Sequence, residues 1–100
     1  MARNNLPEPA LLVLAALAAG PKHGYAIINE IEGQTGRRLG PGTLYGIIAR
    51  LERSGCIAAL DVEERGRRPY RITPAGRRAF DEQMRSLQHY QRALRTLASR

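Results

Sequence analysis

Tryptophan is absent from the 100 residues, and phenylalanine and cysteine occur once each, beside four tyrosines. With Cys56 as its single thiol the chain can form no intramolecular disulfide, so packing alone has to hold the fold. That usage is consistent with a reducing cytosol, and a cytoplasmic location is the expectation. Lysine is nearly missing too: Lys22 is one of 16 basic residues, and the rest are arginine. The longest apolar run, Ala10–Ala19, is too short for a bilayer, which needs about 20 residues of helix. It also lacks the basic flank and cleavage site of a signal peptide, in that order. His23 and His89 stand far apart in the chain, with no Cys, Asp or Glu at ligand spacing, so no metal site is expected. There is no nucleophile–base pair, phosphate loop or pair of acids. An enzyme is therefore not expected, and no cofactor is implied.

What is present is a foldable single domain, 43% hydrophobic, with a formal charge of +7 and a pI near 10.7. A domain of this size buries a limited core, and a second copy would offset that limit. The charge is unevenly placed. Residues 1–49 hold four basic and three acidic residues, residues 50–80 eight and four, and residues 81–100 four and two. The excess collects mid-chain, as a binding footprint would. GC-rich codon usage would also favour arginine. Its planar fork nonetheless matches phosphate oxygens and guanine edges, which suits double-stranded DNA.

Along the chain, residues 1–7 read as a loose arm. Glu8–Ala19 reads as a helix with no polar side, which has to be covered on most sides, and Gly20-Pro21 ends it. His23 to about Gln34 reads as a second helix with Ile27, Ile28 and Ile31 on one face and Tyr25 beside it. Pro41–Ser54 reads as a third, with Pro41 at its first position, Gly55 after its end, and Leu44, Ile47, Ile48 and Leu51 on one side. Two helices joined by a short glycine-containing turn make a helix-turn-helix. Cys56–Val62 reads as a strand and Tyr70–Ile72 as its return, joined by the polar stretch Glu63–Pro69, which makes a hairpin. Thr73 caps the last helix, Pro74 opens it, and little breaks the pattern before Ala98, giving a rod of about 35 Å.

On the third helix, at about 100° per residue, Gly42, Gly46, Ala49 and Arg53 point away from the buried side, flanked by Tyr45 and Arg50. Glycine inside an exposed helix costs about 1 kcal/mol against alanine, so such a face suits close approach of another backbone, as in a DNA major groove or against a protein helix. Around Gly66 the hairpin carries Arg65, Arg67 and Arg68. They form either an ordinary solvated tip or a wing that reaches phosphates or a minor groove, and a helix-turn-helix directly upstream favours the second.

Four fragments in order resemble the PadR family of winged helix-turn-helix regulators. They are His23-Gly24-Tyr25-Ala26-Ile27, then Gly42-Thr43-Leu44-Tyr45, then Arg50-Leu51-Glu52 with Gly55 and Ile57, and last Gly66-Arg67 with Tyr70-Arg71-Ile72-Thr73-Pro74-Ala75-Gly76. They span roughly residues 10–80. Three features depart from the pattern. The stretch between Gly66 and Thr73 is about two residues shorter than in many members, which implies a blunter wing. Gly40 stands where a serine-like cap is common. The chain has no tryptophan, and the aromatic platform at the dimer interface with which some short members hold flat hydrophobic ligands is not carried over. One helix after the wing resembles the short type.

The resemblance implies a mainly α fold with a small β-hairpin: a winged helix-turn-helix over 8–73 and a C-terminal dimerisation helix over 74–100. The expected function is a sequence-specific DNA-binding regulator, a repressor on an inverted-repeat operator, acting as a homodimer. A small-molecule effector of no identifiable class is left open, and no membrane partner is expected. The alternative is a winged-helix protein–protein interaction module without DNA binding. The expected DNA contacts are Thr43, Tyr45, Arg50 and Arg53 on the third helix and Arg65, Arg67 and Arg68 on the wing. Arg50 reads a base edge, and Arg67 and Arg68 hold phosphates or a minor groove. On the last helix Phe80, Met84, Leu87, Leu94 and Ala98 follow heptad-like spacing with Gln91 in the gap, and Tyr90 and Leu97 widen the stripe. Left bare it would be an apolar patch that monomers seldom show, so a second copy is the expected cover. Cys56 reads as a small core residue.

Overall fold

Helix α1 (Glu8–Ala18) runs through the middle of the domain, and α2 (Gly24–Thr35), α3 (Pro41–Arg53), strand β2 (Tyr70–Ile72) and the start of α4 (Pro74–Ala98) all pack on it. Strand β1 (Ile57–Ala59) completes the order, between α3 and β2. The structure, a computed structural model, describes residues 6–100. Most of the expected N-terminal arm therefore lies outside the described residues. At its end, Leu6 packs partly buried against the core and its N–H donates to Gln83 Oε1 at 3.3 Å.

Being surrounded explains why α1 has no polar side. Val13, Leu14 and Leu17 are fully buried with Ile27, Ile28 and Leu44, each contributing about 1.5–3 kcal/mol of transfer free energy. No polar or charged residue is buried among the described residues. The end of α1 is closed by Gly20, whose N–H donates to Leu17 O at 3.1 Å, and by two cations from beyond the helix. Lys22 Nζ donates to Ala16 O at 2.7 Å, and Arg77 Nη2 to Ala18 O at 3.0 Å. Lys22 also pairs with Glu30 at 3.1 Å.

α2 is capped by His23, whose Nδ1 accepts from Ala26 N–H at 3.3 Å, and it ends at Gly36 in the left-handed region. α3 begins at Gly40 with no side-chain cap, as its glycine dictates. It ends in a Schellman arrangement, with Gly55 at φ 79° and Cys56 N–H donating to Leu51 O at 2.9 Å. Thr73 Oγ1 caps α4 by accepting from Gly76 N–H at 3.0 Å.

The first hairpin strand is shorter than the expected Cys56–Val62. Ile57, Ala58 and Ala59 pair antiparallel with Ile72, Arg71 and Tyr70. Leu60 N–H still donates to Pro69 O at 2.8 Å, but Pro69 has no N–H to return, so the ladder stops there. The backbone of Lys22 joins the far edge, exchanging bonds of 3.1 and 2.9 Å with Tyr70. The wing is thereby tied to the turn that introduces α2.

Candidate nucleic-acid interface

Leu44, Ile47, Ile48 and Leu51 of α3 face the core, which leaves Gly42, Gly46, Ala49 and Arg53 exposed on the opposite side. A methyl group added at Gly42 or Gly46 would meet nothing within 4 Å, so this face is open. The two flanks differ. Thr43 and Arg50 border an apolar groove of about 440 Å³, whose other wall is Leu6, Pro7, Pro9 and Ala10. Tyr45, half exposed, turns the other way, to a smaller cavity of about 250 Å³ between the start of α2 and the wing. Tyr45 and Arg50 thus lie on either side of the outer face of α3, with Tyr45 toward the wing.

The wing closes in a two-residue turn. Glu64 and Arg67 exchange backbone bonds of 2.8 and 3.0 Å, and Arg65 (φ 55°) and Gly66 (φ 76°) both lie in the left-handed region. This is a type I′ turn, whose twist matches that of the strands. The three wing arginines behave differently. The Arg67 guanidinium stacks over the Tyr25 ring, 5.3 Å from its centroid. Arg68 Nη1 donates to Leu60 O at 3.1 Å, back along the hairpin. Arg65 sits at the tip and is exposed. None of Arg50, Arg53, Arg65, Arg67 and Arg68 joins an ion pair among the described residues. Behind the wing, partial burial raises the Tyr70 phenol above its ordinary pKa, with Glu52 and Tyr45 adding to the rise and Arg68 opposing it.

Three contributors escaped the sequence reading. Lys22 was just the one lysine, Tyr25 a residue beside an apolar face, and Gly24 part of a motif. The signal was there in part: His23-Gly24-Tyr25 opens a helix with a residue that no helix favours.

On α4 the first turns belong to the domain. Gly76 and Ala79 are buried, and Phe80 is half-buried against the core rather than bare. Beyond them the apolar row is uncovered. Met84 is 40% exposed, Leu87 44%, Leu94 48%, and Tyr90 and Leu97 64% each, and no residue from 84 to 100 is buried. Among the described residues no helix is long and apolar enough to cross a membrane, and no three His, Cys, Asp or Glu residues gather as a metal site.

Helices α2 and α3 joined by a short turn, with a hairpin following, define a winged helix-turn-helix. The family model described as "Transcriptional regulator PadR-like family" matches residues 13–82. The chain belongs to the PadR-like family of transcriptional regulators. Over 81 residues it is 53% identical to a 37.1 kDa protein of transposon TN4556 from Streptomyces fradiae, a stretch that is 80% of this chain and 23% of that protein. The chain thus spans about a quarter of that relative. Over 84 residues it is 39% identical to the transcriptional regulator Rv3488 of Mycobacterium tuberculosis, covering 82% of this chain and 78% of that one. A solved transcriptional regulator from Clostridium thermocellum superposes with a TM-score of 0.75 at 30% identity, over 87% of this chain and 89% of the other. A PadR family regulator from Eggerthella lenta does so at 0.73 and 26% identity, over 90% and 83%.

Proposed function

We propose that this chain is a sequence-specific DNA-binding regulator, a cytoplasmic repressor that occupies an inverted-repeat operator as a homodimer. Residues 8–73 form the DNA-binding unit and 74–100 the dimerisation helix. The observation that carries the reading is the open outer face of α3, where Gly42 and Gly46 leave room for a backbone to approach. Arg50 and Arg53 stand free of ion pairs on and beside that face. A major groove accepts one α-helix with such a face, and an adjacent wing then meets the flanking backbone. Arg50 reads a base edge, Thr43 and Arg53 support it, and Arg65 leads the wing onto phosphate.

The test is fluorescence anisotropy with a duplex from the chain's own upstream region and a scrambled duplex of equal length. Specific binding is expected, and it should weaken steeply with salt because each neutralised phosphate releases counterion. Arg50→Ala should cost about 1–3 kcal/mol on the specific duplex and less on the scrambled one. If no duplex binds at low salt, the open face belongs to a protein partner instead.

A further inference from the structure

The first turn of α2 does more than begin a helix. Gly24 is buried, and a Cβ placed on it would fall 2.5 Å from Tyr45 Oη, 2.8 Å from Tyr45 Cζ and 3.2 Å from Leu44 Cδ2. Those distances leave no room for a methyl group while the Tyr45 ring stays where it is. The atoms met first are the far end of a side chain that can turn away. The space left by the missing side chain is therefore where the Tyr45 ring rests. One residue on, the half-exposed Tyr25 ring carries the guanidinium of Arg67 from the wing. His23 fixes the turn itself by capping Ala26 N–H. The start of α2 and the wing share one small cavity, with Tyr45 and Tyr70 completing its wall. Tyr25, Tyr45 and Arg67 are all exposed, so the core does not require these contacts.

We propose that Gly24 and Tyr25 are positioning residues: the vacancy at Gly24 seats Tyr45 of α3, the ring of Tyr25 seats Arg67 of the wing, and one turn of α2 thereby aims both reading elements. The effect on DNA rests on the function proposed above. The seating is a property of the free protein and is read separately. With alanine at position 24 the Tyr45 ring leaves α2 and enters the space in front of α3, where it obstructs the correct groove. Leucine at position 25 keeps apolar bulk and removes the ring face, which releases Arg67 without changing the base-reading flank.

The experiment uses the full chain with carbon-13-labelled tyrosine and labelled arginine side chains. In the free protein, Gly24→Ala shifts the Tyr45 ring signals, assigned through Tyr45→Phe, and Tyr25→Leu shifts the Arg67 guanidinium signal. Anisotropy then compares the upstream-region duplex with a scrambled one. Gly24→Ala loses about tenfold in affinity for the first and little for the second, the size of one misdirected contact. Tyr25→Leu weakens both alike. In a Tyr45→Ala background Gly24→Ala has no further effect, because its effect acts through that ring.

Unmoved Tyr45 signals in Gly24→Ala, or full additivity with Tyr45→Ala, overturns the proposal. If Gly24→Ala alone unfolds, the double variant decides. Recovery to the melting temperature of Tyr45→Ala supports the seat, and failure to recover places the clash elsewhere and overturns it. If the wild-type chain binds neither duplex, the DNA function fails, and the tyrosine signals and the melting cycle still decide the seat.

Discussion

Arg65 is the one non-glycine residue with positive φ among the described residues, and it stands at the wing tip. For an L-residue other than asparagine or aspartate that conformation costs about 1–2 kcal/mol, and the first central position of a type I′ turn ordinarily takes Asn or Asp. A strained arginine at an exposed tip is worth keeping if its guanidinium has something to meet. Arg65→Asn is thus expected to raise stability by about 0.5–1 kcal/mol in urea unfolding while weakening duplex binding. Stability and affinity moving the same way would show that the residue serves the turn and not the DNA. Gly76 is constrained by sterics of a different kind. A Cβ there would lie 2.0 Å from the Cys56 carbonyl oxygen, which is backbone and cannot turn aside. That carbonyl already accepts from Thr73 N–H at 2.9 Å, so α4 lies directly on the chain leaving α3. Gly76→Ala is expected to cost at least about 2 kcal/mol by urea unfolding, the range of a forced overpacking. In the sequence Gly76 was the end of a fragment with no stated reason, since the atom it avoids lies twenty residues earlier.

At the scale of elements, helix limits were legible because their signals are local. Pro41 and Pro74 mark starts, Thr73 caps, and Gly55 ends a helix, all within a turn of the residues they serve, whereas His23, read as the first residue of its helix, is its cap. The face of α3 was legible for the same reason, since 3.6-residue periodicity fixes it. The strand was drawn too long because apolar character continues to Val62, whereas pairing depends on the partner, and there the partner is Pro69. Gly20-Pro21 marked the end of α1, but the two cations that cover its last carbonyls were not legible. Lys22 is six residues from the carbonyl it meets and Arg77 fifty-nine. Removing the ammonium by Lys22→Met takes the donor from the carbonyls of Ala16 and Gly20 and leaves Glu30 unpaired, with an expected loss of about 1–2 kcal/mol in urea. The hairpin has a pH signature of its own. Tyr70 has a raised pKa in the folded chain, so its neutral form is favoured by folding. That contribution is complete below the ordinary tyrosine pKa of about 10 and is lost as pH rises through the raised folded value. Unfolding titrations above about pH 10 should fall less steeply in Tyr70→Phe than in the wild type.

The whole molecule extends 56 Å in one direction against 28 and 21 Å in the others, because α4 projects past the domain it begins in. A helix of 25 residues is about 37 Å long, and only its first two turns are covered. The remaining apolar row has two candidate covers: the chain's own domain, which it does not reach, or another molecule. A second copy is the economical answer, since antiparallel or crossed α4 helices present the same row to each other about a two-fold axis. The same axis would set two α3 helices on one side of the pair, about one DNA turn or 34 Å apart, which is what an inverted repeat requires. Truncating α4 would be an ambiguous test, because Gly76, Ala79 and Phe80 serve the core. Charge placed in the bare part of the row is cleaner. Leu87→Glu and Leu94→Glu leave every intramolecular contact of the core in place and set like charges against each other across the proposed interface. Light scattering at micromolar concentration should show a dimer for the wild type and a monomer for the double variant, with far-UV circular dichroism retained apart from fraying of the last turns. Duplex binding should then fall far more than any single arginine substitution causes, because the two half-sites no longer bind as one unit and the advantage of effective concentration is gone. A wild-type monomer, or a double variant that dimerises and binds as before, would remove α4 from the interface and leave α1 as the next element to test.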